Sequence, residues 1–145
     1  MKARWVVVAC VLMVCGCFRD IERDAGSFTA QDLRMVEGKV GIVLPAGVRG
    51  LNLYYAVGGL DPWFMARIEV PGPLVESMKR EVEGLPNKGK STAPFPDRIT
   101  KRIAWWNPPA GALERRFSRR GDFVDVWLGD EGGRAVLYVV FAPVG

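Results

Sequence analysis

The chain contains no histidine, and its three cysteines, Cys10, Cys15 and Cys17, all fall within the first seventeen residues. Histidine-based nucleophilic triads, histidine zinc sites and an internal disulfide framework are therefore excluded. Acid–base chemistry is left to carboxylates. Asp61, Asp122, Asp125, Asp130 and Glu131 lie at expected turns or strand ends. A glycoside hydrolase needs two carboxylates flanking one bond. No spacing here selects such a pair, and Asp130-Glu131 in a glycine-rich stretch reads as turn chemistry. Ser91 with Lys90 or Lys88 is a nominal nucleophile–base pair, but sequence neighbours on a loop are not held in attacking geometry. The expectation is a chain with no catalytic residues, no metal site and no cofactor.

Two short motifs match the letters of known binding sequences. Gly84 to Ser91 spells the phosphate-loop pattern G-x-x-x-x-G-K-S. That mechanism needs a strand before the loop and a helix after it, so that backbone N–H groups converge on the phosphates. Here a helix is expected before the motif, and Pro94 and Pro96 follow it, which blocks a helix of the required kind. Nucleotide binding is not expected. Arg120-Gly121-Asp122 is the adhesion tripeptide, read here as a turn entering a strand.

Charge offers a different kind of site. Residues 88–120 hold nine basic side chains against two acidic ones, whereas the rest of the chain after residue 16 is net acidic. Trp105, Trp106 and Phe117 sit inside this basic segment with Arg102, Arg115, Arg116, Arg119 and Arg120. Arginine with aromatics suits lipid headgroups, anionic polymers or nucleic acid. The alternative is a solvated loop whose tryptophans cap the core.

The elements that must position these residues begin with the leader. Residues 1–4 read M-K-A-R, residues 5–14 are ten uncharged apolar residues, and V-C-G-C follows before the chain turns polar. A basic start, a short apolar run and small residues before a cut form the secretory signal pattern. The apolar stretch from Trp5 to Phe18 covers fourteen residues, against about 20 for a spanning helix. The end of the segment resembles the lipobox of bacterial lipoproteins, with Val14, Cys15 and Gly16 before Cys17. The resemblance implies a diacylglyceryl group on the Cys17 thiol and cleavage before it. The alternative is an ordinary or uncleaved signal segment. Phe18 is not the aspartate that the family links to inner-membrane retention, so the resemblance leaves an outer-membrane address open, and the expected location is the cell membrane or the outer membrane. The expected organisation is a signal peptide at 1–16, a lipidated cysteine and polar tether at 17–28, and one folded domain at 29–145.

Within that domain a small helix is expected from Thr29, stopping at Gly38, then a short strand over G-K-V-G-I-V-L-P-A-G. Residues 51–57 and 64–70 alternate as a hairpin. Leu74, Val75, Met78, Val82 and Leu85 follow helical spacing. Residues 86–120 carry five prolines and read as a loop. Asp122–Leu128 and Arg134–Ala142 are the last strands, and A-V-L-Y-V-V-F-A, apolar on both faces, belongs at a sheet centre. The pattern predicts an α+β fold, a small antiparallel sheet of β-β-α-loop-β-β order with one packed helix and a short leading helix.

The functional expectation is a lipid-anchored extracytoplasmic binding or envelope-assembly module. Its partners would be the membrane, through the anchor, and anionic lipid, cell-wall polymer or an envelope protein. An exported chain seldom meets nucleic acid, so nucleic acid is not among them. A small carboxylate-dependent hydrolase acting on cell-wall material is the alternative.

Overall fold

The computed structural model describes residues 20–57, 62–88 and 103–143. Cys17 and the leader, Asp61, Lys90, Ser91 and Arg102 lie outside the described residues. The order is β1 (Ile21–Arg23), α1 (Ala30–Val40), β2 (Arg49–Ala56), β3 (Trp63–Val70), a short 3-10 turn, α2 (Val75–Gly84), β4 (Leu113–Arg119), β5 (Asp122–Asp130) and β6 (Ala135–Ala142). The strands form one antiparallel sheet in the order β1-β2-β3-β6-β5-β4. No helix among the described residues is long and apolar enough to cross a membrane.

The α+β class and the antiparallel sheet agree with the sequence pattern. The β2–β3 hairpin, α2 and the last two strands stand where periodicity places them. β6 lies between β3 and β5, and every residue from Val136 to Ala142 is buried, as its two-sided apolar character requires. Both helices cover one face. Val36 and Val40 of α1, and Met78 and Val82 of α2, join Leu53, Phe64, Ile68, Phe117, Val126 and Leu137 in one apolar cluster.

Four local expectations are corrected. The polar stretch 18–28 contains β1, which pairs with Leu53–Tyr55 of β2; so short a strand has no periodicity of its own and exists because β2 presents an open edge. Helix α1 runs through Gly38 to Val40 and ends on Gly41 at φ 77°. Burial of Val36 and Val40 offsets the cost of about 1 kcal/mol for a helical glycine. The expected strand over 38–47 is absent: its first residues belong to α1, and the Leu44 N–H donates to the Glu37 carboxylate at 2.8 Å instead of to a ladder. Finally, the expected loop at 86–120 contains β4. Its arginines hide the alternation, and pairing with β5 over Leu113–Arg119 supplies the strand. Among the described residues the sheet therefore has six strands with two helices packed on one face.

Candidate functional site

The second sheet face is built differently. Met65, Val140 and Ile103 are buried there, and Tyr54, Trp63, Trp105, Trp106 and Trp127 pack around them. Trp106 meets Trp105, Trp127 and Tyr138 edge to face, with centroids 5.9, 5.7 and 5.3 Å apart. Edge-to-face contact sets each positive ring edge against a negative ring face. A turn in which the Trp106 N–H donates to the Ile103 carbonyl at 3.0 Å seats both indoles. The tryptophans thus cap a core, on the face away from the helices.

Antiparallel pairing lines up Asn52, Arg67, Tyr138 and Trp127 in one row across β2, β3, β6 and β5. Arg67 is the organiser. Its Nε donates to Glu131 Oε1 at 3.1 Å, its Nη2 pairs with Glu131 Oε2, and its Nη1 donates to Asn52 Oδ1 at 3.1 Å. The Tyr138 hydroxyl donates to the same Glu131 carboxylate. The bonds from Arg67 hold Glu131 below its ordinary carboxylate range. Burial, then the bond to ionised Glu131, pushes the Tyr138 phenol up to about 12. The group is therefore a fixed, ionised pair capped by a neutral phenol. Glu131 reaches it from the β5–β6 turn, where Gly132 and Gly133 take φ of 60° and 87° and the Gly133 N–H donates to Asp130 at 2.9 Å.

Two clefts open over this row, and Trp105 lines both. One, of about 370 Å³, is lined by Arg67, Ala104, Asn107, Pro109, Glu131 and Tyr138 beside Trp105. The other, of about 320 Å³, is lined by Glu22, Arg23, Asp24, Ser27 and Asn52 beside Trp105. The Asn52–Arg67 hydrogen bond joins their floors. One indole thus divides a polar groove that crosses the sheet from β1 to β6.

Among the described residues the basic segment is dispersed. Trp105 lines the groove, and Trp106 lies half-buried beneath it. Arg116 pairs with Glu114 at 2.6 Å, lies 3.6 Å from Asp125, and sits 5.9 Å from the Trp127 ring. Arg115 and Arg119 share the strand parity of Phe117, on the helix face. Arg115 Nη1 donates to the Glu114 carbonyl, and Arg119 lies against Gly41. Arg120 is exposed in the β4–β5 turn, where φ is 54° at Arg120 and 92° at Gly121. That pair of positive φ values matches a two-residue hairpin turn, and it holds the adhesion-like tripeptide. α2 precedes the phosphate-loop-like stretch and ends at Gly84, opposite to the order such a loop needs.

Among the candidate carboxylates, Asp125 is the one held above its ordinary range. It is buried, its Oδ1 has no hydrogen-bond partner, and burial raises its pKa to about 6 against the opposing pull of Arg116. It lines neither cleft. Among the described residues no cluster of three or more carboxylates could hold a metal. Sequence reasoning missed Arg67, Tyr138 and Asn52. The signal present was an arginine flanked by the apolar Ala66 and Ile68 within β3, and one phenol inside an apolar β6. Comparison with family models, curated proteins and solved structures finds no match to this chain.

Proposed function

We propose that this protein is a lipid-anchored, extracytoplasmic binding module of the cell envelope, and that a cell-wall polymer lies in the groove divided by Trp105. The anchor is the Cys17 thiol, read from the lipobox-like end of the leader. The observation that carries the binding reading is one indole lining two clefts whose floors are hydrogen-bonded to each other. An indole offers a flat apolar face to a sugar ring, while Arg67, Asn52, Asn107 and Tyr138 surround it with polar groups. Because Glu131 already fixes Arg67 and Tyr138, little ordering is needed on binding.

The charged lining sets the class of polymer. Glu22, Asp24 and Glu131 face Arg23 and Arg67, so the groove suits neutral or amine-bearing sugars better than phosphate. The hydrolase alternative needs an acid held protonated beside its substrate. Glu131 is held ionised, and Asp125 lies outside both clefts.

The test is a titration with soluble N-acetylglucosamine oligosaccharides, followed by tryptophan fluorescence and calorimetry. Trp105→Ala is expected to weaken binding about tenfold, the scale of one lost aromatic stacking contact. Equal affinity for both proteins, or no binding by either, would sink the proposal.

A further inference from the structure

The distance from the lipid to the fold carries a second conclusion. Cys17 and Asp20 are three residues apart, so their Cα atoms are separated by at most about 11 Å. The sheet end next to Asp20 must then lie close to the bilayer. Cross-strand pairing identifies that end: Ile21, Tyr55, Phe64, Phe141, Val124 and Phe117 form one row across the strands. Trp63 lies one residue beyond this row, and the Arg120 turn three beyond it.

Helix α1 ends at this same edge. Lys39 Nζ lies 5.3 Å from the Phe141 ring centroid, and the Arg119 guanidinium packs on Gly41. Val43 follows two residues later. Val43 and Ile21, 63% and 39% exposed, are the exposed large hydrophobics among the described residues. Ile21 therefore sits at the sheet end nearest Cys17, and Val43 lies two residues past the helix end that reaches it, with the exposed cations Lys39 and Arg120. The acids there are Asp20, which accepts from the Tyr54 hydroxyl, Asp122, and Glu37 of α1, which accepts from the Leu44 N–H beside Val43.

We infer that this sheet end, through Ile21, Val43, Lys39 and Arg120, docks on the anionic phospholipid surface that holds the Cys17 lipid. Exposed aliphatics enter the headgroup boundary, cations meet its phosphates, and Trp63 stands at the depth where indoles collect. The inference rests on the lipid-anchor reading. It also orients the groove. Asn52, Arg67 and Tyr138 lie three residues up the strands from the Ile21 row, which lifts them about 10 Å farther from the lipid.

The experiment uses the full chain produced in a bacterium, with its lipid attached, and placed in phosphatidylglycerol-containing vesicles. A dye is coupled to Val43→Cys or, as a control, to exposed Ala110→Cys, and quenched by headgroup spin-labelled lipid. Intact mass is read on the same samples. The expected result is an acylated protein whose Val43→Cys dye is quenched and whose Ala110→Cys dye is not. Adding Lys39→Glu and Arg120→Glu should weaken docking at least about 25-fold, since each cation near an anionic surface contributes about fivefold. Acylated protein with equal quenching at both positions, or none at either, overturns the docked orientation and leaves the anchor standing. A chain without acyl groups overturns both.

Discussion

Two carboxylates on the second sheet face respond to pH in opposite directions. Asp125 has a folded pKa of about 6 against 3.8 in the open chain. The folded state therefore binds more protons between these values, and stability falls as pH rises from about 4 to about 6. Glu131 is the reverse case. Its folded value lies below 4.5, so the stability it contributes is present above that value and is lost as pH falls through the lowered one. Replacing Asp125 by Asn removes the buried charge, keeps the shape, and should stabilise the protein at pH 7 by about 1–3 kcal/mol. At pH 4 the effect should be close to nil. Urea melts at both pH values check this, and an Asp125→Asn protein that is less stable at pH 7 would contradict it. Glu131→Gln should act in the other sense, costing about 2 kcal/mol at neutral pH because half-buried Arg67 loses its ionic partner.

At the scale of elements, the sheet depends on how α1 is delivered to it. Thr29 and Asp32 form a reciprocal capping box, with the Asp32 N–H donating to Thr29 Oγ1 at 3.2 Å and the Thr29 N–H donating to Asp32 Oδ2 at 2.7 Å. Just before the cap, Phe28 packs flat on Gly50, where an added Cβ would lie 2.0 Å from the ring's Cγ. Gly50 borders the β2 irregularity between Gly50 and Asn52, and Asn52 is the groove residue that holds Arg67. Thr29→Ala should cost about 1 kcal/mol. Gly50→Ala should cost about 1–3 kcal/mol, because the ring root has no room to yield, and it should also disturb Asn52. Chemical denaturation with amide NMR at Asn52 reads both effects. An unchanged Asn52 signal in Gly50→Ala would show that the contact and the groove are independent.

For the whole molecule, the relation to test is between the proposed anchor, the sheet end and the groove. Cys17→Ser should move the protein from the membrane fraction to the soluble one, while binding of soluble sugar oligomers through Trp105 stays the same. Fractionation and titration of one preparation separate the two. Loss of sugar binding in Cys17→Ser would mean that the lipid supports the fold and does more than hold it near a surface.

Much of this architecture is legible in the chain because burial imposes a period. Residues 51–57 and 64–70 alternate, 74–85 repeat at helical spacing, and 135–142 are apolar throughout, so a hairpin, a packed helix and a central strand follow from local composition. The proposed lipoprotein leader is read from equally local features: charge, apolar length and small residues. β1 and β4 were not legible, since a three-residue strand has no period and the arginines of β4 mask theirs. The groove was hidden for a further reason. Arg67 and Glu131 are 64 residues apart, and only antiparallel pairing brings them under Trp105 with Asn52 and Tyr138. A hydrogen-bond network of this kind depends on which strands become neighbours, and strand order is set by packing of the entire sheet rather than by any single segment.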